Sequence, residues 1–426
     1  MSTPDPHPDL QSLRIAAQGD DPDAWSKLAI ALVQAHAVDE AFELHARAAA
    51  RGHVVSRMEL ARMQLYGIVG DADPAAAVDG FERAEAAGAV QAGYFLALIA
   101  LGDHALRRDA RINQRMQKAM DAGFAPALRA AAVHFGRRPD ARDQMLCVEL
   151  LERAAHAGDA VAGQLLVERL RRGEGVPADA AGAARLRAQL TQAGYAPLPD
   201  ITMPARAESL LSFPPGVLAF EETLLAPNPV DLATRPCVQR VDALLSADEC
   251  RLLIACAGPL VRPSQAVDPE TGLPFRVPLR TSSDAAIDPV SEDFAMRCIQ
   301  LRIAAAARTP LVHAEHLTVL RYAPGQEYRP HRDYLPAGAI QRDQPVAGNR
   351  ARTICVYLNT VEDGGATTFP HADVSVAPVA GRAVVFDNLQ ADGTPDIDSL
   401  HAGTPVVRGE KWLATLWLRE RPYRAY

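Results

Sequence analysis

The chain has 426 residues, more than the roughly 250 to 300 at which single hydrophobic cores stop growing, so two or three domains are expected. Its 48% hydrophobic and 23% charged residues are ordinary for a globular protein and exclude wholesale disorder and collagen-like structure. A formal net charge of -8 with no basic block argues against a nucleic-acid partner gripped through its phosphates.

The first ten residues, MSTPDPHPDL, carry neither a basic n-region nor an apolar h-region. The longest nearly uncharged apolar stretch, Ala89 to Leu101, is too short to span a bilayer, so no membrane association is expected. Cys147, Cys237, Cys250, Cys256, Cys298 and Cys355 are scattered without a CxxC pair. That distribution reads as reduced thiols rather than a disulfide framework or a cysteine zinc site, and points to a cytoplasmic protein.

From about residue 10 the sequence repeats. An alanine-rich helix end followed by glycine recurs at Gly19, Gly52, Gly88, Gly123, Gly158 and Gly194, at intervals of 33, 36, 35, 35 and 36 residues. After most of these glycines comes an apolar-periodic segment such as SRMELARMQLYG or AGQLLVERLRRG, then a polar turn and a third helical pattern such as DPAAAVDGFERAEAAG. The spacing predicts stacked helical hairpins over about 10–195, with each glycine as the left-handed residue that ends one helix and admits the next. A single hairpin cannot bury both its faces, so neighbours must stack into a solenoid that leaves a concave surface for another molecule. The segment AHAGDAVAGQLLVERLRRGEGVPADAAGAARL is similar to the Sel1-like branch of the tetratricopeptide superfamily, which implies that the array binds a protein partner.

Between Tyr195 and Pro236 eight prolines interrupt the helical period, so residues 196–235 are expected to be an extended or turn-rich linker, part of it forming an edge strand. From 236 to 421 the texture changes to short β-branched runs, HLTVLRY, RTICVYLNT, AVVFD and KWLATLWLRE, separated by Gly, Pro and Asn/Asp turns. Helical patterns persist only in SADECRLLIACAG and SEDFAMRCIQLRIAAAA. The C-terminal part is therefore expected to be an α+β domain built on a β-sandwich or jelly roll.

Residues that can carry chemistry start in RPHRDY. His331 and Asp333 are one residue apart, and on an extended strand they would project to the same face. His401 lies 70 residues on, and Lys411 ten further, in an otherwise apolar run. Two histidines and one carboxylate suit a non-haem Fe(II) site that keeps positions open for a chelating cosubstrate and dioxygen. A His-x-Asp pair alone is ordinarily a surface feature, so its surroundings decide. Around it stand RYAPGQEYRPHRDY, RTICVYLNTVEDGGATTFP, VAPVAGRAVVFDN and DIDSLHAGTPVVRGEKWLATLWLR, preceded by LLSADECRLLI, PSQAVDPETG, RTSSD and HAEHLTVLRY.

In this order the run resembles the prolyl 4-hydroxylase family of 2-oxoglutarate- and Fe(II)-dependent dioxygenases, over about 236–421. The resemblance implies a double-stranded β-helix (jelly-roll) domain in which His331, Asp333 and His401 bind iron and Lys411 takes the distal carboxylate of 2-oxoglutarate. It also implies that Tyr322 and Thr367 hydrogen-bond the cosubstrate, that Trp417 flanks its pocket, and that Tyr328 and Arg350 touch a protein or peptide substrate. Arg352 could shift that last register. The implied reaction consumes 2-oxoglutarate and O2 to hydroxylate a prolyl residue, with ascorbate as auxiliary reductant. Segments 264–283 and 335–350 match loops that close over the peptide. Two positions depart from the family pattern: Ala366 stands where a glutamate is usual and Leu416 where a lysine is frequent. The competing expectations are a repeat scaffold with a vestigial oxygenase domain, a hydroxylase of a non-prolyl substrate, and a zinc hydrolase built on the same three ligands. The last would leave Lys411 unexplained.

Overall fold

The computed structural model describes residues 10–204, 214–267, 274–275, 279–342 and 344–426. They fall into two compact units, 1–122 with 425–426, and 123–424.

The first unit contains α1 (Leu10–Ala16), α2 (Pro22–Gln34), α3 (Val38–Ala50), α4 (Val54–Tyr66), α5 (Pro74–Ala86), α6 (Val90–Leu101) and α7 (Arg111–Asp121). Local chemistry sets the boundaries. Asp21 and Asp73 cap the first N–H groups of α2 and α5, each followed by a proline at the first helical position, where its missing N–H costs nothing. At the other end, Gly52 and Gly88 are left-handed, at φ 88° and 92°. The residue after each donates back five positions, His53 to Ala48 O and Ala89 to Ala84 O, both at 3.0 Å, which satisfies carbonyls the helix leaves open. Gly19 differs from the expectation, because it is not among the left-handed glycines. There the carbonyls of Ala17 and Gly19 both accept from the indole N–H of Trp25, and that bond shapes the turn. Small residues such as Ala29, Ala41 and Ala48 fill the core beside Trp25, Leu28, Leu32 and Leu44.

The second unit begins with more of the same repeat: α8 (Ala125–Gly136), α9 (Ala141–His156), α10 (Ala160–Arg172) and α11 (Ala180–Gln192). The left-handed Gly158 and Gly194 close α9 and α11 with the same backbone bonds, Asp159 to Ala154 O and Tyr195 to Leu190 O. The strand-rich part follows in the same compact unit. It adds the helices α12 (Ala247–Ala257), α13 (Phe294–Ala306) and a short α14 (Ala337–Arg342), the last inside a segment expected to be loop.

The described residues also form sixteen strands: β1 (Val230–Thr234), β2 (Cys237–Val241), β3 (Arg262–Pro263), β4 (Ala266–Val267), β5 (Pro274–Phe275), β6 (Ser283–Ala286), β7 (Thr318–Tyr322), β8 (Tyr328–His331), β9 (Arg350–Tyr357), β10 (Asp363–Gly364), β11 (Thr367–Phe369), β12 (Val374–Val376), β13 (Ala383–Asp387), β14 (His401–Gly403), β15 (Val406–Arg408) and β16 (Lys411–Arg419). The major sheet runs β1-β2-β13-β9-β16-β7-β6-β3 and the minor one β12-β11-β14-β8, with the two-stranded pairs β10-β15 and β4-β5 beside them. Among the described residues every pairing of neighbouring strands is antiparallel. Phe369 and Val376 from the minor sheet pack against Leu320, Tyr357, Val384, Phe386 and Leu413 from the major one, so the two sheets share one core, as in a double-stranded β-helix. β1 is the expected edge strand contributed by the proline-rich segment. Of the two segments expected to be closing loops, residues 268–273, 276–278 and 343 lie outside the described residues.

What joins α8–α11 to the β domain is charge rather than apolar surface alone. Arg169 on α10 and Arg251 on α12 share the carboxylate of Asp248, and Arg251 also binds Glu174 at 2.6 and 2.8 Å. Glu249 accepts from both Arg137, after α8, and Arg302 on α13. Arg129 on α8 reaches Asp293 at 2.7 and 3.0 Å, and Asp159 as well. Asp248, Glu249, Arg169, Arg251 and Arg302 are each at most 2% exposed. Burial opposes ionisation of Asp248, but Arg169 and Arg251 overcome it and hold the carboxyl below its ordinary range. No described helix is long and apolar enough to cross a membrane.

Removing one partner of a buried pair strands the other charge. Asp248→Ala is therefore expected to lower the unfolding free energy of the second unit by about 3–5 kcal/mol in chemical denaturation. A loss below about 1 kcal/mol, the range of exposed pairs, would show that these contacts do not hold the unit together.

Candidate active site

Strand β16 organises the site. Side chains alternate across a strand, and Lys411, Leu413, Thr415 and Trp417 all face one cleft of about 430 Å³. Trp412, Ala414, Leu416 and Leu418, one residue out of step, are buried elsewhere. The neighbouring strands obey the same period: β7 contributes Leu320 and Tyr322, and β9 contributes Cys355. From the minor sheet come Tyr328, His331, Thr367, His401 and Gly403, and Arg280 reaches in just before β6.

His331 and His401 are cross-strand partners in the antiparallel pair β8-β14, with ring centroids 4.2 Å apart. Asp333 does not share a strand with His331 as expected, because β8 ends at His331. Its carboxylate is fixed by side chains instead: Oδ2 accepts from Thr353 Oγ1 at 2.8 Å and from Trp417 Nε1 at 3.0 Å. Thr353 and Trp417 are themselves register partners on β9 and β16, and Asn388 donates to the Thr353 hydroxyl at 2.9 Å. His331 Nε2 lies 3.6 Å from Asp333 Oδ1, and His401 Nε2 lies 3.8 Å from Oδ2. One donor atom from each of the three lies within 4.8 Å of the others, a spacing that can hold one metal ion.

The histidines are prepared for that role. His331 Nδ1 is 2.8 Å from Arg329 O, and His401 Nδ1 is 3.0 Å from Ser399 O. Carbonyl oxygens only accept, so Nδ1 carries the proton in both rings and the Nε2 lone pair is left for a ligand. Burial, then the neighbouring His401, pushes His331 down to about 4, so it is neutral at physiological pH. Two imidazoles and a carboxylate, each oriented by a hydrogen bond from outside the triad, form a donor set that fits Fe(II).

Lys411 is 1% exposed, and burial lowers it to about 8. It forms no ion pair with a carboxylate among the described residues. Its ammonium lies 5.0 and 5.5 Å from the ring centroids of Tyr322 and Tyr357. Space around it is kept open by glycine: a Cβ at Gly365 would come within 3.3 Å of the lysine stem and one at Gly403 within 3.6 Å of Nζ. Thr367 is buried at the same end of the cleft, and its hydroxyl accepts from Tyr357 Oη at 2.7 Å.

The structure thus brings His331, Asp333, His401, Lys411, Tyr322, Thr367, Tyr328 and Trp417 to one cleft. Tyr328 stacks on His331 with ring centroids 3.3 Å apart. Arg350 does not line the cleft wall; its guanidinium is bound by Glu315 at 2.7 and 2.8 Å and lies 4.1 Å above the Trp417 ring. Arg352, the alternative to it, pairs with Asp387. Sequence reasoning missed Arg280, Thr353, Cys355, Tyr357 and Thr415. The alternation of β16 would have found Thr415, two residues from Trp417 and four from Lys411, whereas Thr353, Cys355 and Tyr357 stand an odd number of residues from Arg350, the β9 position already named, and alternation from it points away from them. His313 and His371 lie elsewhere, bonded to Arg419 O and Asp398.

Comparison with known proteins agrees with this geometry. The 2OG-Fe(II) oxygenase superfamily matches residues 317–419. Probable prolyl 4-hydroxylase 3 of Arabidopsis thaliana is 36% identical over 199 residues, covering 42% of this chain and 68% of that one. Among solved structures, a viral collagen prolyl hydroxylase from Paramecium Bursaria Chlorella virus-1 aligns with 43% of this chain and 95% of its own, at 27% identity and TM-score 0.34. A Sel1 repeat protein from Oxalobacter formigenes aligns with 41% of this chain and 74% of its own, at 18% identity and TM-score 0.37. Through its C-terminal part the chain belongs to the prolyl 4-hydroxylase family of 2OG-Fe(II) oxygenases. It is a 2-oxoglutarate-dependent dioxygenase whose cofactor is Fe(II) and whose cosubstrates are 2-oxoglutarate and O2.

Proposed function

We propose that this dioxygenase hydroxylates a prolyl residue of a protein or peptide, with His331, Asp333 and His401 holding the iron and Lys411 taking the distal carboxylate of 2-oxoglutarate. The observation that carries the reading is Lys411: a buried ammonium with no acidic partner among the described residues, in the same cleft as three converged candidate metal ligands. Such a cation is costly unless an anion enters beside it. Bound there, Fe(II) with its cosubstrates supplies oxidation of an unactivated C–H bond coupled to conversion of 2-oxoglutarate to succinate and CO2.

The chain's own residues supply binding, orientation and dryness. The Nδ1–H bonds keep both imidazoles facing the metal, and Thr353 and Trp417 keep the Asp333 carboxylate from turning. Tyr322 and Thr367 stand beside Lys411 to hydrogen-bond the same carboxylate. Tyr328, half-buried against His331, is placed to meet the substrate, and Arg350 stands behind Trp417. Cys355, Leu320 and Leu413 make the remaining wall apolar. The helical repeats are read as a platform that recruits the protein substrate or its complex, and the six free cysteines favour a reducing, cytoplasmic setting.

Three experiments test this reading. Under anaerobic conditions the enzyme is expected to bind Fe(II) and 2-oxoglutarate, and on admission of oxygen to release succinate and add 16 mass units to a prolyl peptide. His331→Ala should lose both products, and equal activity in that variant would overturn the assignment.

The second experiment concerns Lys411. Burial favours the neutral form of Lys411 above about pH 8, whereas pairing with a carboxylate requires the ammonium. Affinity of the Mn(II)-loaded enzyme for 2-oxoglutarate is therefore expected to be level below pH 8 and to fall about tenfold per unit above it, with proton uptake seen calorimetrically. Affinity unchanged to pH 10 would exclude Lys411 as the counter-charge.

Thirdly, a form lacking residues 1–122 keeps the whole second compact unit. It should retain turnover on short peptides while losing kcat/KM on the intact protein substrate. Unchanged turnover on both would refute recruitment by the first unit.

A further inference from the structure

Beyond the metal ligands lies a chain of contacts that ends on one of them. Glu315, 9% exposed, precedes β7 and is bonded through its backbone N–H to Trp417 O at 2.9 Å. Its carboxylate gathers two arginines. Oε1 accepts from Arg350 Nε at 2.7 Å and from Arg419 Nε at 2.5 Å, and Oε2 accepts from Arg350 Nη2 at 2.8 Å. Arg419, 2% exposed, is fixed on its other side by Gly348 O at 2.8 Å. The held guanidinium of Arg350 lies 4.1 Å above the Trp417 ring. The indole N–H of Trp417 in turn donates to Asp333 Oδ2 at 3.0 Å.

We infer that Glu315 is a positioning residue of the iron site, acting through Arg350 and Trp417 on the carboxylate of Asp333; this rests on reading His331, Asp333 and His401 as the Fe(II) ligands. The physical reason is charge. Arg350 and Arg419 are largely buried cations that repel one another, and the Glu315 carboxylate is what lets both stay. With it in place, Arg350 is clamped bidentately, a geometry that fixes both position and plane, and its flat face confines the indole. A confined indole keeps its N–H on Oδ2, which holds the plane of the carboxylate and keeps Oδ1 3.6 Å from His331 Nε2. Without the charge, Arg350 loses its bidentate clamp, the indole gains freedom, and Thr353 is left as the remaining firm hydrogen bond to Asp333 among the described residues. Outer contacts of this kind typically change metal affinity 10–100-fold.

The test is anaerobic Fe(II) titration of the full-length protein, with far-UV circular dichroism as the check on folding. E315Q and W417F are each expected to weaken Fe(II) binding about tenfold, because both release the same oxygen of Asp333. In the E315Q/W417F double variant the losses should not add, since both act along one path. Trp417→Phe keeps an aromatic face under Arg350 but removes the N–H donor along with part of the indole, so it is the coupling between the two losses, not either loss alone, that separates positioning from a merely structural role for Glu315. Unchanged affinity in E315Q, or additive losses in the double variant, overturns the inference while leaving the iron site standing. Wild type that takes up no Fe(II) overturns both. Should E315Q fail to fold, the cycle between Arg350→Lys and Trp417→Phe decides in the same way, with additivity again the overturning result.

Discussion

Lys411 and Asp333 are opposite charges buried in the same cleft, and they form no ion pair with each other. Everything about the site depends on that separation. If the two met, they would neutralise one another and close the cleft. The fold prevents it by placing Lys411 at the start of β16 and drawing Asp333 toward its other end, where Trp417 and Thr353 hold it. The space between then has one end made of a carboxylate and two imidazoles, which suits a cation, and another made of one ammonium, which suits an anion; a metal ion chelated by a dicarboxylic acid would satisfy both at once.

Strand geometry achieves the separation. Lys411 and Trp417 lie six residues apart on one face of β16, roughly 20 Å of strand at about 3.3 Å per residue. Across the ladder Lys411 opposes Tyr322 and Trp417 opposes Thr353, so each charged end receives its own hydroxyl from a neighbouring strand. The two departures from the family pattern leave this intact. Leu416 is fully buried and out of step with the cleft residues, and Ala366 precedes Thr367, whose hydroxyl remains in place.

Much of this was legible in the sequence, for reasons that can be separated. The helical array was readable because its glycines are needed for left-handed turns, a requirement stated locally and repeated about every 35 residues. The triad and Lys411 were readable because their chemistry is unusual among apolar strands. What stayed hidden depends on partners far away in the chain. Thr353 is an ordinary β-strand threonine until Asp333 is folded against it. Glu315 is a solvated acid by any local rule, and only the register of β16 beside β7 and β9 brings two arginines to it. Gly19 fails the repeat rule because Trp25, six residues on, captures its carbonyl.

The proline-rich segment marks the change of sequence texture near residue 195, yet the compact unit starts at 123. Texture reports the local period, whereas compactness reports which surfaces are buried together. A solenoid ends on a face that has no next repeat, and that face must be polar or covered. Here α8 and α10 present Arg129 and Arg169, with Arg137 just after α8, and α12 and α13 answer with Asp248, Glu249 and Asp293. Apolar covering could have closed the array in several registers, since alanine-rich faces slide at little cost. Buried arginine–carboxylate contacts such as Arg169 with Asp248 and Arg302 with Glu249, each residue at 2% exposure or less, resist such slippage, because a shift of one helical turn would strand their charges. The last two hairpins thereby hold α12 and α13, the two long helices of the β domain, in one register.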